Sequence, residues 1–373
     1  MNIAFYSPIK PPDHPVPSGD RTMANHLIAA LRLAGHRVAL ASRLRSYSSV
    51  PDHAEIEALA AIETQNLLSG WSSDNAADKP DVWFTYHPYY KAPDLIGPAV
   101  CAALNIPYMT AEASYSSRRQ SDEWQASQTH VIEAVRQAQV NFCMTSIDRE
   151  GLNQIVAHER LCDLPAFIDT APYQTTATQG RSGPSCRLIT VAMMRRGVKF
   201  DSYELLAAAL RELGHKEWSI AIIGDGSARD DVAGLFDGID ADRIDWLGEL
   251  SGDEVRKQLG QSDIFVWPGF GEAYGLAYLE AQACGLPVIA HDTHGVPSVV
   301  RNGITGLLTP PGDAIALAEA IDRLATDDEL RARMSLAAHR FVHQERNLAV
   351  ASIILNQALV RATTPASSTT VAS

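Results

Sequence analysis

The stretch 268–290, PGFGEAYGLAYLEAQACGLPVIA, decides the fold of this chain. It opens where the apolar run Ile264, Phe265, Val266, Trp267 stops at Pro268, which has no N–H to continue a sheet ladder, so a strand ends there. A loop with glycines at 269 and 271 follows. Between positions 275 and 284, Leu276, Leu279 and Ala283 recur at helical spacing, and Gly285 with Pro287 beyond it closes the helix. Val288, Ile289 and Ala290 then read as the next buried strand. Strand, glycine-rich loop, helix and strand make a βαβ unit, whose helix N-terminus lies at the carboxyl edge where parallel sheets bind ligands.

Two carboxylates flank that helix start: Glu272 in the loop and Glu280 about two turns inside the helix. The unpaired N–H groups near Tyr274, Gly275 and Leu276, together with the helix dipole, suit an anion such as a diphosphate. Carboxylates do not bind that anion, but they accept hydrogen bonds from hydroxyls. One glutamate can hold a sugar ring and the other a ribose, with the phosphates between them. A helix-start carboxylate and a solvated helix residue account for the same two positions equally well.

The string resembles the donor-site signature of the retaining family-four glycosyltransferases, the glycosyl transferases of group 1 with GT-B architecture. Pro268, Glu272, Gly275, Leu276, Glu280, Ala281, Gly285, Pro287 and Val288 carry the match, with seven residues between the glutamates. Gly269 stands where the family often has Ser, and Ala273-Tyr274 replaces the usual Gly-Phe. The resemblance implies an α/β fold of two Rossmann-like domains facing a cleft, with a C-terminal helix crossing back to the first domain. The expected organisation is an acceptor-side domain 1–172, a linker 173–184, a nucleotide-sugar-binding domain 185–345, a crossover helix 346–362 and a disordered tail 363–373.

Composition agrees with two soluble domains. The chain has 373 residues, and no run approaches the roughly 18–20 apolar residues of a membrane span. Its five cysteines are scattered without paired spacing, which argues for a reducing cytoplasm and against a disulfide framework or zinc site. No export signal precedes the first strand. A net charge of −13 disfavours nucleic acid as a partner. Residues 1–50 nevertheless hold Lys10, Arg21, Arg32, Arg37, Arg43 and Arg45 against Asp13 and Asp20. A solvated face accounts for this excess, and a patch for an anionic acceptor or the inner face of a membrane is the sharper reading.

From the first residue, strands alternate with helices. A strand ends at Tyr6, a proline-rich loop follows, and a helix over 21–34 is entered through Ser18, Gly19 and Asp20. A strand over 81–86 runs into His87, Pro88, Tyr89, Tyr90 and Lys91. A helix over 93–104 and a strand over 106–110 then lead to Glu112. Residues at such strand ends face the ligand crevice, which makes Asp20, His87 and Glu112 acceptor-side candidates. The family resemblance implies a donor-phosphate role for Gly19. It also implies a histidine near the place of Glu112.

In the second half, a strand over 188–192 runs into Met193, Met194, Arg195, Arg196, Gly197, Val198 and Lys199. Arginine and lysine directly after a first strand are placed to neutralise phosphate. The resemblance assigns Arg195 and Lys199 to the donor diphosphate, with Arg196 as the alternative arginine. A lone Gly-x-Gly at Gly224 and Gly226 is weak evidence for a nucleotide, and the strand end at Leu247 lies beside the base in the family. Asp240-Ala241-Asp242 sits in a polar turn and reads as surface rather than as a metal motif.

The resemblance implies a retaining, metal-independent transfer from a nucleotide-diphosphate sugar to an acceptor hydroxyl on a glycan, a lipid-linked or a small-molecule acceptor, with no cofactor. Glu272, Arg195 and Lys199 would act in catalysis. Gly19, Gly224, Leu247, Tyr274, Gly275, Leu276 and Glu280 would bind donor. A nucleotide-sugar epimerase or phosphorylase, or a non-catalytic nucleotide-sugar-binding protein, would share the same frame.

Overall fold

The computed structural model describes residues 1–72, 78–120, 122–173, 185–214 and 217–364. The expected linker, Tyr173 apart, and the tail beyond Thr364 lie outside the described residues. The chain divides into two compact units, Met1–Pro165 with Leu348–Ser373, and Ala166–Asn347. Tyr173 ends a short 3-10 turn, Ala171–Tyr173, and is buried.

The first unit is built on six parallel strands: β1 (Asn2–Tyr6), β2 (Arg37–Leu40), β3 (Val82–Tyr86), β4 (Tyr108–Ala111), β5 (Val140–Cys143) and β6 (Leu161–Asp163). Their order is β2-β1-β3-β4-β5-β6. The central strands are buried on both faces, as helices on either side of a parallel sheet require, which is why β3 reads as the unbroken run Val82, Trp83, Phe84, Thr85, Tyr86. The chain steps from β1 outward to β2 and then back past β1 to β3. The order therefore reverses between β1 and β3, and ligands of open α/β sheets bind beyond the carboxyl ends at such a reversal.

Two boundaries in this unit move from the sequence expectation for stated reasons. Ser18 caps its helix, accepting from the Arg21 N–H at 3.2 Å, so the helix runs Gly19–Leu33 and takes Gly19 and Asp20 into its first turn. The helix expected from position 93 begins at Gly97 and runs to Leu104. Buried Asp94 accepts from the N–H groups of Ile96 and Gly97 at 2.9 and 2.7 Å and from Trp83 Nε1 and the Tyr108 hydroxyl, which holds residues 93–96 outside the helix. The helix Leu348–Thr363 buries Ala351, Ser352, Leu355, Ala358 and Leu359 on one stripe and packs on the helix Gly19–Leu33.

The second unit repeats the plan: β7 (Cys186–Val191), β8 (Trp218–Ile223), β9 (Ile244–Gly248), β10 (Ile264–Val266), β11 (Val288–His291) and β12 (Gly306–Thr309), all parallel. Their order is β12-β11-β10-β7-β8-β9. Here the reversal falls between β7 and β10. The loop that leaves β7 carries Arg195 and leads into the helix Val198–Arg211 with Lys199 in its first turn, and the loop that leaves β10 carries Glu272 and Gly275.

Candidate functional site

At the β7/β10 edge the structure brings Lys199 and Glu272 together. The Lys199 ammonium donates to Glu272 Oε1, which also accepts from Trp267 Nε1 at 3.1 Å. Lys199 lies 5.6 Å from the Trp267 ring centroid, so the buried indole gives the cation an aromatic face and the carboxylate a second donor. Glu272 is thereby fixed from two sides. Trp267 is a site residue that sequence reasoning took only as the end of a strand.

The two adjacent arginines part company. Arg196 pairs with Asp231 and lies 4.7 Å from the Phe200 ring centroid. Arg195 is exposed and has no hydrogen bond or ion pair among the described residues. Its exposed, unengaged guanidinium, against one already paired on Arg196, favours Arg195 as the one left for an anion.

Beyond Glu272, the helix Leu276–Ala283 starts at Gly275, and no side chain caps it. The backbone of its approach is held by Phe270 N–H donating to Ser202 Oγ at 3.0 Å and by the Tyr278 hydroxyl donating to the Trp267 carbonyl at 3.1 Å. Tyr278 also explains two glycines. A Cβ on Gly269 would lie 2.0 Å from its hydroxyl and one on Gly275 would lie 2.6 Å from its ring, and both residues have positive φ, 75° and 79°. The departure from Ser at position 269 is therefore tied to this tyrosine. Tyr274 is buried and Leu276 half-buried.

Glu280 is half-buried and its carboxylate has no hydrogen bond among the described residues. Burial pushes its carboxyl above the ordinary value, with Arg256 pulling the other way. Arg256 stands 5.7 Å from the ring centroid of Tyr173, whose hydroxyl also feels Glu280. A half-buried carboxylate without a donor can accept from a diol. Arg256 and Tyr173 went unnoticed in the sequence because they are 24 residues and more from Glu280 and belong to no motif.

Gly224 has a structural account of its own. A Cβ there would lie 1.9 Å from the Ala192 carbonyl oxygen, and at Gly226 one would lie 2.3 Å from that of Met194. These glycines let the loop after β8 run against the loop after β7, with Met194 N–H donating to Asp225 at 2.9 Å. Leu247, half-buried near the end of the outer strand β9, stands two strands from β7. Asp240, of the surface triplet, caps a 3-10 turn by accepting from Asp242 N–H at 3.2 Å.

The first unit assembles its three candidates at the β1/β3 reversal. His87 Nδ1 lies 3.0 Å from Asp20 Oδ1 and 3.8 Å from Glu112 Oε1. His87 and Glu112 close β3 and β4 with φ of 58° and 56°, left-handed conformations rarely adopted away from glycine and concentrated at functional sites. Burial pushes the imidazole down, but Glu112 and Asp20 more than reverse this and raise it to about 9. Burial raises Asp20 too, yet the bond from His87 holds it below the ordinary carboxylate value. Gly19 has a helical backbone, and an added Cβ would meet nothing within 4 Å, so the protein's own packing does not demand glycine there. The basic residues of 1–50 are largely engaged. Arg43 pairs with Asp13, Arg37 with Asp78, and Arg21, Arg32 and Arg45 donate to the carbonyls of Pro12, Val38 and Ile9.

Two parallel α/β units with polar side chains gathered at each order reversal define a protein of the GT-B fold. The chain is similar to sucrose-phosphate synthase from Thermosynechococcus elongatus at a TM-score of 0.72 and 19% identity, over 97% of this chain and 98% of that one. It is similar to HepE of Anabaena, solved in complex with UDP, at 0.72 and 15%, over 97% and 100%. These identities speak to the fold alone. Residues 186–341 match the family described as glycosyl transferases group 1. Among curated relatives, sulfoquinovosyl transferase SQD2 of Arabidopsis thaliana is 36% identical over 189 residues, 50% of this chain and 36% of that protein. Alpha-D-kanosaminyltransferase of Streptomyces kanamyceticus is 33% identical over 141 residues, 38% of this chain and 36% of that protein. The matched stretches thus span little more than a third of these two relatives.

Proposed function

We propose that the chain is a retaining glycosyltransferase that moves a sugar from a nucleotide-diphosphate sugar to an acceptor hydroxyl, in glycan biosynthesis. The observation that carries this reading is the meeting of Lys199, Glu272, the open Arg195 and an uncapped helix start at the one reversal of the second sheet. The second unit takes the donor. Arg195, Lys199 and the N–H groups at Gly275 and Leu276 face the diphosphate, and Glu280 accepts from the ribose diol. When the diphosphate draws Lys199 away, Glu272 is left bonded to Trp267 and free to accept from the sugar.

In the reaction, the bond from the anomeric carbon to the diphosphate oxygen breaks while the acceptor oxygen bonds to the same face. The departing phosphate takes the acceptor proton. Charge growing on the leaving group meets two side-chain cations and a helix end, which supply the stabilisation that a metal ion gives in other enzymes, so turnover should survive chelators. Asp20, His87 and Glu112 of the first unit serve the acceptor. Five cysteines without a disulfide fit a reducing compartment, and we place the enzyme in the cytoplasm. Among the described residues no helix is long and apolar enough to cross a membrane, and any membrane contact would be peripheral.

The test is a thermal-shift screen of UDP, GDP, ADP and dTDP and their sugars. A UDP donor comes first because HepE, of similar fold, was solved with UDP. A ligand at about a hundred times its Kd adds roughly 2.7 kcal/mol of stability. A flat response to all of them would contradict the proposal.

A further inference from the structure

Beside the Asp20–His87 pair runs a set of aromatic rings that the reaction chemistry does not use. The His87 ring lies 5.4 Å from that of Tyr89, Tyr89 lies 5.3 Å from Tyr90, and Tyr90 lies 5.0 Å from Trp124. Tyr47 comes in from the segment after β2, between Ser46 and Ser48, which are both hydrogen-bonded to the stretch just after Tyr89.

The inner members of this row brace the fold. Trp124 is buried, and Tyr90 is flanked by Arg119 at 4.4 Å and Lys91 at 5.8 Å from its centroid, while its carbonyl accepts from the Ser127 hydroxyl. Tyr89 and Tyr47 remain at the surface, half-buried and 39% exposed.

The backbone that carries these two rings is held in place. Tyr89 and Ala92 exchange backbone hydrogen bonds of 3.2 and 2.8 Å across a tight turn. Ser48 N–H donates to the Lys91 carbonyl at 2.8 Å and the Ser46 hydroxyl to that of Pro93 at 2.6 Å, so Tyr47 is tied on both sides to the turn that carries Tyr89. His87 N–H donates to Ala111 at 2.8 Å and Ser114 N–H to Pro88 at 3.1 Å, which fixes the turn to the sheet edge. Surface aromatics on a fixed backbone next to paired polar groups make a recognition surface whose backbone ordering is met by the fold.

Resting on the glycosyltransferase reading above, we infer that Tyr47 and Tyr89 form the acceptor platform and that the acceptor is a saccharide. A pyranose has one face of C–H groups and a rim of hydroxyls. The face suits the tyrosine rings, and the rim suits Asp20, which accepts, and His87, which donates. A lipid chain would want a continuous apolar surface, yet this one is interleaved with Asp20, His87, Arg45 and Lys91 and with both phenolic hydroxyls. A planar aryl acceptor would cover the rings but bring few donors to the carboxylate beside them.

The experiment uses the full chain and whichever nucleotide sugar the thermal screen identifies. Its acceptor panel holds methyl glycosides and disaccharides, 4-nitrophenol, and vesicles containing phosphatidylinositol. The expected result is transfer to a saccharide, with acceptor KM raised about tenfold or more in Tyr89→Ala and Tyr47→Ala, the order of magnitude that removing an aromatic stacking partner gives. Tyr89→Leu, which keeps bulk but not the ring, should be equally impaired and guards against misfolding. In each variant the calorimetric Kd for the nucleoside diphosphate should match the wild type. Transfer only to the phenol or the vesicles, or an acceptor KM within twofold of wild type in both alanine variants, overturns the platform while leaving the enzyme reading intact. A wild type that binds no nucleotide sugar fails the enzyme reading instead and takes the platform with it.

Discussion

Glu280→Gln should make the ligand-free protein more stable and its nucleotide binding weaker. The carboxylate is half-buried, accepts no hydrogen bond among the described residues, and is pushed above its ordinary pKa by burial, against the pull of Arg256. A folded pKa above the unfolded value means that stability from this group is fully present below the unfolded value, near 4.5, and is lost as pH rises through the folded one. At pH 7 the ionised group is therefore a net cost, and the neutral amide removes it. The melting temperature of Glu280→Gln should exceed that of the wild type at pH 7, and the gain should vanish toward pH 4. Binding moves the other way. Hydrogen bonds to a charged group are worth about 1.5–3 kcal/mol, so losing the carboxylate weakens the nucleoside diphosphate about 10- to 150-fold. Thermal melts across pH and calorimetric titration read the two effects on one sample. A variant less stable at pH 7, or one with unchanged nucleotide affinity, would refute the assignment of Glu280 to the ribose.

Lys199→Ala should lower turnover about a hundredfold or more, as loss of one transition-state charge stabiliser does, and Arg195→Ala should do likewise. Arg196→Ala, which loses only the Asp231 pair and the Phe200 contact, should stay near wild type; steady-state kinetics of the three variants decide. Gly269→Ser should destabilise by about 1–3 kcal/mol through a strained φ and the collision with the Tyr278 hydroxyl. The double variant Gly269→Ser/Tyr278→Phe should recover part of that loss in urea unfolding, because the colliding oxygen is gone. His87, raised to about 9, adds stability fully present below about 6.5 and lost as pH rises through about 9. His87→Gln should therefore flatten the fall of the melting temperature between those limits.

The edge at the β7/β10 reversal was legible because its residues are local in sequence. Pro268, Gly275, Glu280 and Gly285 are spaced by one strand end and one helix, and those periods are visible without a structure. Asp20, His87 and Glu112 were legible one at a time, as residues at strand ends and a helix start, but their meeting follows only from the order β2-β1-β3-β4. What stayed hidden depends on distant partners. Lys199 reaches Glu272 across 73 residues, and the Trp267 ring that supports both looked like one more apolar strand residue. Gly269 looked like a departure from a motif until Tyr278 filled the space of a Cβ. Asp94 looked like part of a helix until its buried bonds to Trp83, Tyr108 and the N–H groups of Ile96 and Gly97 showed it holding that helix's start.

The central claim is that this chain breaks a nucleotide sugar at the anomeric carbon and keeps its configuration. Proton NMR of the anomeric region, recorded while the wild type consumes the donor found by the thermal screen, tests it directly. The account predicts loss of the donor's anomeric signal and growth of a product signal of the same configuration. Product of inverted configuration, or a donor that binds and is never consumed, would contradict it.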